Sequence, residues 1–257
     1  MYYPIQIPYI LDERYSGTIL YTEEVVPDYQ NFLICLWNMQ PLTDEQKSVE
    51  DIIVADACID LVADYGRKWI GFVGMSKTDF DFKINGSSYL IGARFKPGAF
   101  HEITKIAANE AMDIFLPLST VDKNFDADSF FALPFSEAKV VFKNYIGRLI
   151  QGKKPGAFVT LFDELNNELP DKVSEIYQKI CRCPRQCQRL FIQNYGLSPQ
   201  LALCILRFQK CLQVLISEKT DSKKAMDISN YYDQAHFIKD FKRNIGLTPL
   251  ELVRRCW

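Results

Sequence analysis

Three side chains near the middle of the C-terminal third could read a surface. Arg185, Gln188 and Arg189 stand at i, i+3 and i+4, so on a helix they share one face, while Cys187, Leu190 and Phe191 fall on another and form a local core. An arginine fork fits the acceptors of guanine and a glutamine amide fits adenine, so the chemistry on offer is hydrogen bonding to base edges in a major groove. A second set follows. Gln234, Ala235, Ile238 and Lys239 project away from the i, i+4 core pair Phe237 and Phe241. Lys242 and Arg243 near that helix's end, and Lys223 and Lys224 before it, suit phosphate oxygens. Any one of these cations alone would be an ordinary solvated charge; two equivalent faces make a pattern.

Other chemistry is offered less consistently. In "CRCPRQC", Cys181, Cys183 and Cys187 could form a thiol switch or a soft-metal site, since a thiolate beside Arg182, Arg185 and a helix N-terminus would be activated. Structural zinc, however, calls for four ligands at more regular spacing, and two substitutions in a turn plus one core cysteine read the same residues without function. Arg94 could grip an anionic effector and Trp37 could line an apolar pocket, although each also reads as structural. The chain has two histidines, His101 and His236, one in each half, so a catalytic metal barrel with clustered imidazoles is not expected. The sequence has neither a phosphate-binding glycine loop nor G-x-S-x-G. No catalytic residue, cofactor or enzymatic activity is expected.

The elements that would hold the two reading faces are legible from a repeat. "FIQNYGLSP" at Phe191–Pro199 returns as "FKRNIGLTP" at Phe241–Pro249. Each reads as the tail of a helix, a left-handed glycine stop (Gly196, Gly246), then a hydroxyl N-cap and a proline at N1 opening the next helix (Ser198-Pro199, Thr248-Pro249). Pro184 opens the first reading helix after a short helix and the "CRC" turn. In the second unit "SKKAMDIS" predicts a short helix, Asn230 a left-handed turn and Asp233 a cap. Between the units runs a long helix with Leu201, Ile205, Phe208, Leu212 and Leu215 on one stripe. Short helix, tight turn, second helix: this is the helix-turn-helix plan, present twice.

The first 130 residues read as short strands rich in aromatic and β-branched residues, with Asn85-Gly86 as a hairpin turn, which predicts an antiparallel sandwich or barrel. Near "HEITKIAANEAMDIF" the period becomes helical. Two amphipathic helices span 136–169, one with Val140, Val141, Tyr145, Ile146, Leu149 and Ile150 on its apolar face, the other with Phe158, Leu161, Phe162, Leu165 and Leu169. They would either pack on the sheet or form a dimer seam. The fold class is therefore α+β: a β-rich sensor or regulatory domain at 1–130, a helical linker at 131–170 and an all-α domain at 171–257. Residues 1–170 carry 15 basic against 24 acidic side chains, whereas 171–257 carry 15 against 8. A basic third on an acidic remainder is the footprint of a nucleic-acid module joined to something else. Without an apolar run of eighteen residues or a signal-peptide pattern, a cytoplasmic protein with reduced thiols and no membrane partner is expected.

Across roughly 173–252 the stretches "CPRQCQRLFIQNYGLSPQLALCILRFQKCLQVL" and "ISNYYDQAHFIKDFKRNIGLTPLEL" resemble the DNA-binding domain of the AraC/XylS family of bacterial transcription regulators. That resemblance implies two helix-turn-helix units on one linker helix, reading neighbouring major-groove segments. It implies base contacts from Arg185, Gln188 and Arg189, and from Gln234, Ala235, Ile238 and Lys239, with His236 structural or phosphate-facing. "GARFKPGAF" at Gly92–Phe100, with "VADACIDLVADYG" upstream, resembles a sensor domain of some relatives. The chain departs from the family at the first turn, where Cys181 and Cys183 replace the usual glycine and serine, and at Cys187, which replaces a larger core residue. The expected function is a sequence-specific regulator that binds double-stranded DNA under control of a small-molecule effector held by the N-terminal domain. The alternative is a thiol- or metal-responsive regulator acting through Cys181, Cys183 and Cys187. RNA polymerase and a second copy of the chain are further candidate partners.

Overall fold

A computed structural model of the chain describes residues 1–5, 17–42, 49–52, 54–74, 81–84, 89–218 and 234–256. The N-terminal half is built on an antiparallel sheet of six strands in the order β1-β2-β7-β4-β5-β8. These are β1 (Ile19–Glu24), β2 (Leu33–Pro41), β4 (Ile59–Asp64), β5 (Trp69–Gly74), β7 (Leu90–Phe95) and β8 (Phe115–Pro117), while β3 (Val49–Ile52) and β6 (Asp81–Ile84) pair separately. Strand β4 shows how the sequence chooses its faces. Ile59, Leu61 and Ala63 are buried on one side, and Asp60, Val62 and Asp64 alternate on the other, as a period of two requires. The expected hairpin does not form between its flanking strands: β6 pairs with β3, and β7 lies between β2 and β4. Asn85-Gly86 itself lies outside the described residues.

The Leu61 face of the sheet is covered by helix α3 (Phe135–Ile150), which follows the short helices α1 (Ala99–Thr104) and α2 (Ala127–Phe131). The buried face of α3 is Ala138, Phe142, Tyr145, Ile146 and Ile150, whereas Val140 is 60% exposed and Val141 is also exposed. The apolar stripe read from the sequence was therefore centred wrongly. Phe142 drives into the sheet core and sets the rotation of the helix, which turns both valines outward.

The opposite face, with Cys35, Trp37 and Met39, shares one core with much of the helical region. Into it come Tyr2, helix α4 (Ala157–Asn167) through Leu161, Phe162 and Leu165, and helix α5 (Val173–Ile180) through Ile176. Helix α6 (Pro184–Tyr195) adds Phe191 and Tyr195, and the start of helix α7 (Pro199–Glu218) adds Leu203 and Leu206. A separate core gathers Phe208, Leu212 and Leu215 from the far half of α7 with Phe237 and Phe241 of α8 (Gln234–Ile245) and Leu252 of α9 (Pro249–Cys256). The N-terminal residues are tied into this assembly. The side chain of Gln209 on α7 is bonded to both backbone groups of Ile5 and to the Ala55 carbonyl, and Gln213 donates to the carbonyl of Tyr3.

One close approach in the sheet depends on a missing side chain. The Trp37 indole lies across Gly92, where a Cβ would fall 2.0 Å from the ring. Gly92→Ala is therefore expected to destabilise the chain by about 1–3 kcal/mol, the usual cost of overpacking, as a lower urea midpoint at unchanged slope.

Candidate nucleic-acid interface

The two halves of the repeated motif adopt the same geometry. Gly196 and Gly246 both take left-handed backbone angles, with φ of +72° and +73°. Ser198 Oγ accepts from the Leu201 amide at 3.1 Å, and Thr248 and Glu251 cap each other, Thr248 Oγ1 accepting from the Glu251 amide and Glu251 Oε2 from the Thr248 amide. Both reading helices turn an apolar face inward. Cys187 and Phe191 are buried on α6, Phe237 and Phe241 on α8. Their outer faces carry the side chains picked from the sequence: Arg185, Gln188 and Arg189 are exposed on α6, and Gln234, Ala235, Ile238, Lys239, Lys242 and Arg243 are exposed on α8. Leu190, read as core, is half-buried. The expected short helix of the second unit, with Lys223, Lys224, Asn230 and Asp233, lies outside the described residues.

The first unit's turn is built from residues poorly suited to it. Cys181 ends α5 in the left-handed region at φ +55°, a conformation that disfavours a side chain with a Cβ. Cys183 stands at the N-cap of α6 and makes no side-chain cap bond. The three sulfurs do not converge. Cys187 is fully buried with its thiol 3.5 Å from the Arg182 carbonyl, while Cys181 and Cys183 are exposed. Among the described residues no group of three His, Cys, Asp or Glu side chains is placed to hold a metal ion, so the ligand set Cys181, Cys183, Cys187 is not assembled. Burial pushes the Cys187 thiol up rather than down, opposite to what an activated thiolate needs.

The first unit packs broadly on the N-terminal half, whereas the core of the second takes in Val54 and Ile5 from it. Tyr195, at the end of α6, is fully buried and donates its phenol to the Phe158 carbonyl of α4 at 2.5 Å, with Phe158, Phe162 and Phe191 packed around its ring. Gly196 is close against Met112 and the Ala108 carbonyl, where a Cβ would clash. Gln193 meets the His101 ring at 3.2 Å. His101 has its other ring nitrogen at 2.8 Å from the Ile106 carbonyl and is thus a structural part of this contact.

Trp37 and Arg94 do come together, but around protein groups. The Trp37 indole donates to Asp60 at 2.8 Å, and the Arg94 guanidinium faces Glu23, Asp56 and Asp60 at 3.3, 3.5 and 3.5 Å. Tyr21 stacks on Trp37 and donates to Glu23, as does Tyr3. An arginine already facing three carboxylates has no charge to spare for an anionic effector, so the expected grip of Arg94 on such a molecule is not supported. Its role is to neutralise acids that the sheet buries. Sequence reasoning missed those acids because Glu23 lies on β1 whereas Asp60 lies on β4 and Asp56 on the approach to it. Burial pushes Asp60 up to about 6; Arg94 offsets this in part, and Asp56 adds to it. In the same way burial raises the Cys35 and Cys58 thiols, which are inert core groups.

Two stretches of the chain match known domain families. Residues 178–255 match a family described as a helix-turn-helix domain, and residues 26–117 match a domain family of unknown function, DUF6597. No curated protein sequence matches the chain. Among solved structures, apo ToxT from Vibrio cholerae is similar at 8% identity and a TM-score of 0.44, over 93% of this chain and 98% of that one. ToxT bound to (E)-4-(8-methylnaphthalen-1-yl)but-3-enoic acid is similar at 9% identity and 0.42, over 93% and 100%.

Two measurements check these site assignments. Cys183→Ser supplies the missing cap and is expected to stabilise the chain by about 1 kcal/mol in urea denaturation. The folded state holds the Asp60 proton between about pH 4 and 6, where the unfolded chain has released it, so this group makes stability fall as pH rises through that window. Asp60→Asn cannot titrate, and its melting temperature is expected to fall less than that of the parent chain between pH 4 and 6.5.

Proposed function

We propose that this chain is a DNA-binding regulator of the AraC type that recognises a specific DNA site with both reading helices, a reading supported by the helix-turn-helix match over 178–255. In this reading α6 presents Arg185, Gln188 and Arg189 to one major-groove segment. Helix α8 presents Gln234, Ala235, Ile238 and Lys239 to the next, with Lys242 and Arg243 on phosphates. The observation that carries it is the duplicated arrangement: two capped helices, each buried along one face and polar and basic along the other, mounted on the two halves of α7. A side chain at equivalent places on two helices of one rigid strut can address successive turns of the same duplex.

Control enters from the other half of the chain. The first unit shares its core with the sensor sheet and α4, so a small molecule that changes this packing changes how α6 is held relative to α8. The partners that complete the reading are double-stranded DNA, a small-molecule effector, RNA polymerase at the regulated promoter, and a second copy of the chain in the cytoplasm. The outward Val140 and Val141 on α3 favour the last, because the other face of the same helix is already used on the sheet.

DNA affinity should fall steeply and linearly on a log–log plot against salt, with a slope close to the number of phosphates neutralised. Replacing Arg189 or Lys239 with alanine should relax specificity at different base pairs, by about 1–3 kcal/mol at each, in binding to a library of sites. Unchanged sequence preference in both variants would refute the assignment of the reading faces.

A further inference from the structure

A cleft of about 660 Å³ opens between α2 and the C-terminal half of α3, away from both reading helices. Its floor is apolar and aromatic: Phe125, Phe130, Leu133, Tyr145 and Leu149 line it. Phe125 and Phe130 meet at a ring separation of 5.5 Å, and Phe125 meets Tyr145 edge-on at 4.9 Å. The charged groups at its rim differ sharply in how they are satisfied. Asp126 is the N-cap of α2, accepting from the amide and hydroxyl of Ser129. Asp122 accepts from the Asn124 amide and from the Tyr145 phenol. Both carboxylates are thus engaged in local hydrogen bonds. Arg148 and Lys153, on the same rim, have no carboxylate partner among the described residues.

An apolar floor with two unpaired cations on one side is complementary to a molecule with a hydrophobic body and an anionic end. We propose that this cleft binds a small anionic amphiphile, its carboxylate between Arg148 and Lys153 and its body against Phe125, Phe130 and Leu149. The Tyr145 phenol is already committed to Asp122, so recognition of the charge falls to the two cations. The position matters for control. Arg148 is in the last turn of α3 and Lys153 is in the connection that leads into α4, whose Phe158 carbonyl holds Tyr195 of the first reading helix. A ligand bridging Arg148 and Lys153 therefore fixes the joint on which α4, and through it α6, depends. This identifies the effector class of the regulatory reading above and rests on that reading for its purpose. The binding itself is tested without DNA, so failure of either can be told apart.

The test is calorimetric titration of the full chain with 4-phenylbutyrate, with uncharged 4-phenylbutanol in parallel. Saturable one-to-one binding of the acid is expected, with the alcohol weaker. Arg148→Gln and Lys153→Gln each should weaken the acid roughly tenfold, the scale of one charge-assisted hydrogen bond, and leave the alcohol unaffected. Both side chains are exposed, so the variants should melt with the parent chain. As an independent readout, 4-phenylbutyrate should protect Lys153 from acetylation while leaving the exposed Lys105, just after α1, unprotected. Absence of saturable binding, equal binding of acid and alcohol, or undiminished binding in both variants would overturn the proposal.

Discussion

The phenol of Tyr195 is buried completely, and burying it is tolerable because its hydroxyl reaches the Phe158 carbonyl while its ring packs among Phe158, Phe162 and Phe191. This aromatic knot joins the end of α6 to α4, the helix that packs on the N-terminal sheet. The residue after Tyr195 must then leave in a left-handed conformation, against Met112 and Ala108, which only a glycine can do without a clash. From that exit the long α7 is launched, and α7 carries the second unit on its far half. The seating of Tyr195 therefore sets how the first reading face is held, while the second rests on the far half of α7.

The two units that share this design are not equal. The first has its turn in a strained cysteine and an uncapped helix start, but it gains stability from the core it shares with the N-terminal sheet. The second has a full reciprocal cap at Thr248 and Glu251, and its core around Phe208 and Phe241 takes in Val54 and Ile5 from the N-terminal half. A weak turn braced by another domain is a reasonable place for regulation, because loosening the brace changes the unit that depends on it most.

The helical third was largely legible in the sequence, since its stops and caps are local: glycine after the helix, Ser-Pro or Thr-Pro before the next. The outer faces of α6 and α8 were legible for the same reason, as helical spacing alone separates Arg185 and Arg189 from Cys187 and Phe191. What failed was long-range. The stripe on α3 was misplaced because the sheet, through Phe142, and not the helix's own composition, decides which face is buried. The strands on either side of Asn85-Gly86 do not pair with each other, because β6 finds its partner in β3 and β7 lies between β2 and β4. For Arg94 the sequence leaves an anion grip and a structural role both open, because Glu23, Asp56 and Asp60 are brought to it only by the pairing of β1, β2, β7 and β4. No local pattern reports that.

The central claim is that one chain places two reading helices on adjacent segments of one duplex. Hydroxyl-radical footprinting of the full chain on its selected site tests this most directly. The account predicts two protected patches on one face of the DNA, separated by about one helical turn, with the α6 patch lost selectively in Tyr195→Ala. A single patch in the parent chain, or equal loss of both in the variant, would contradict it.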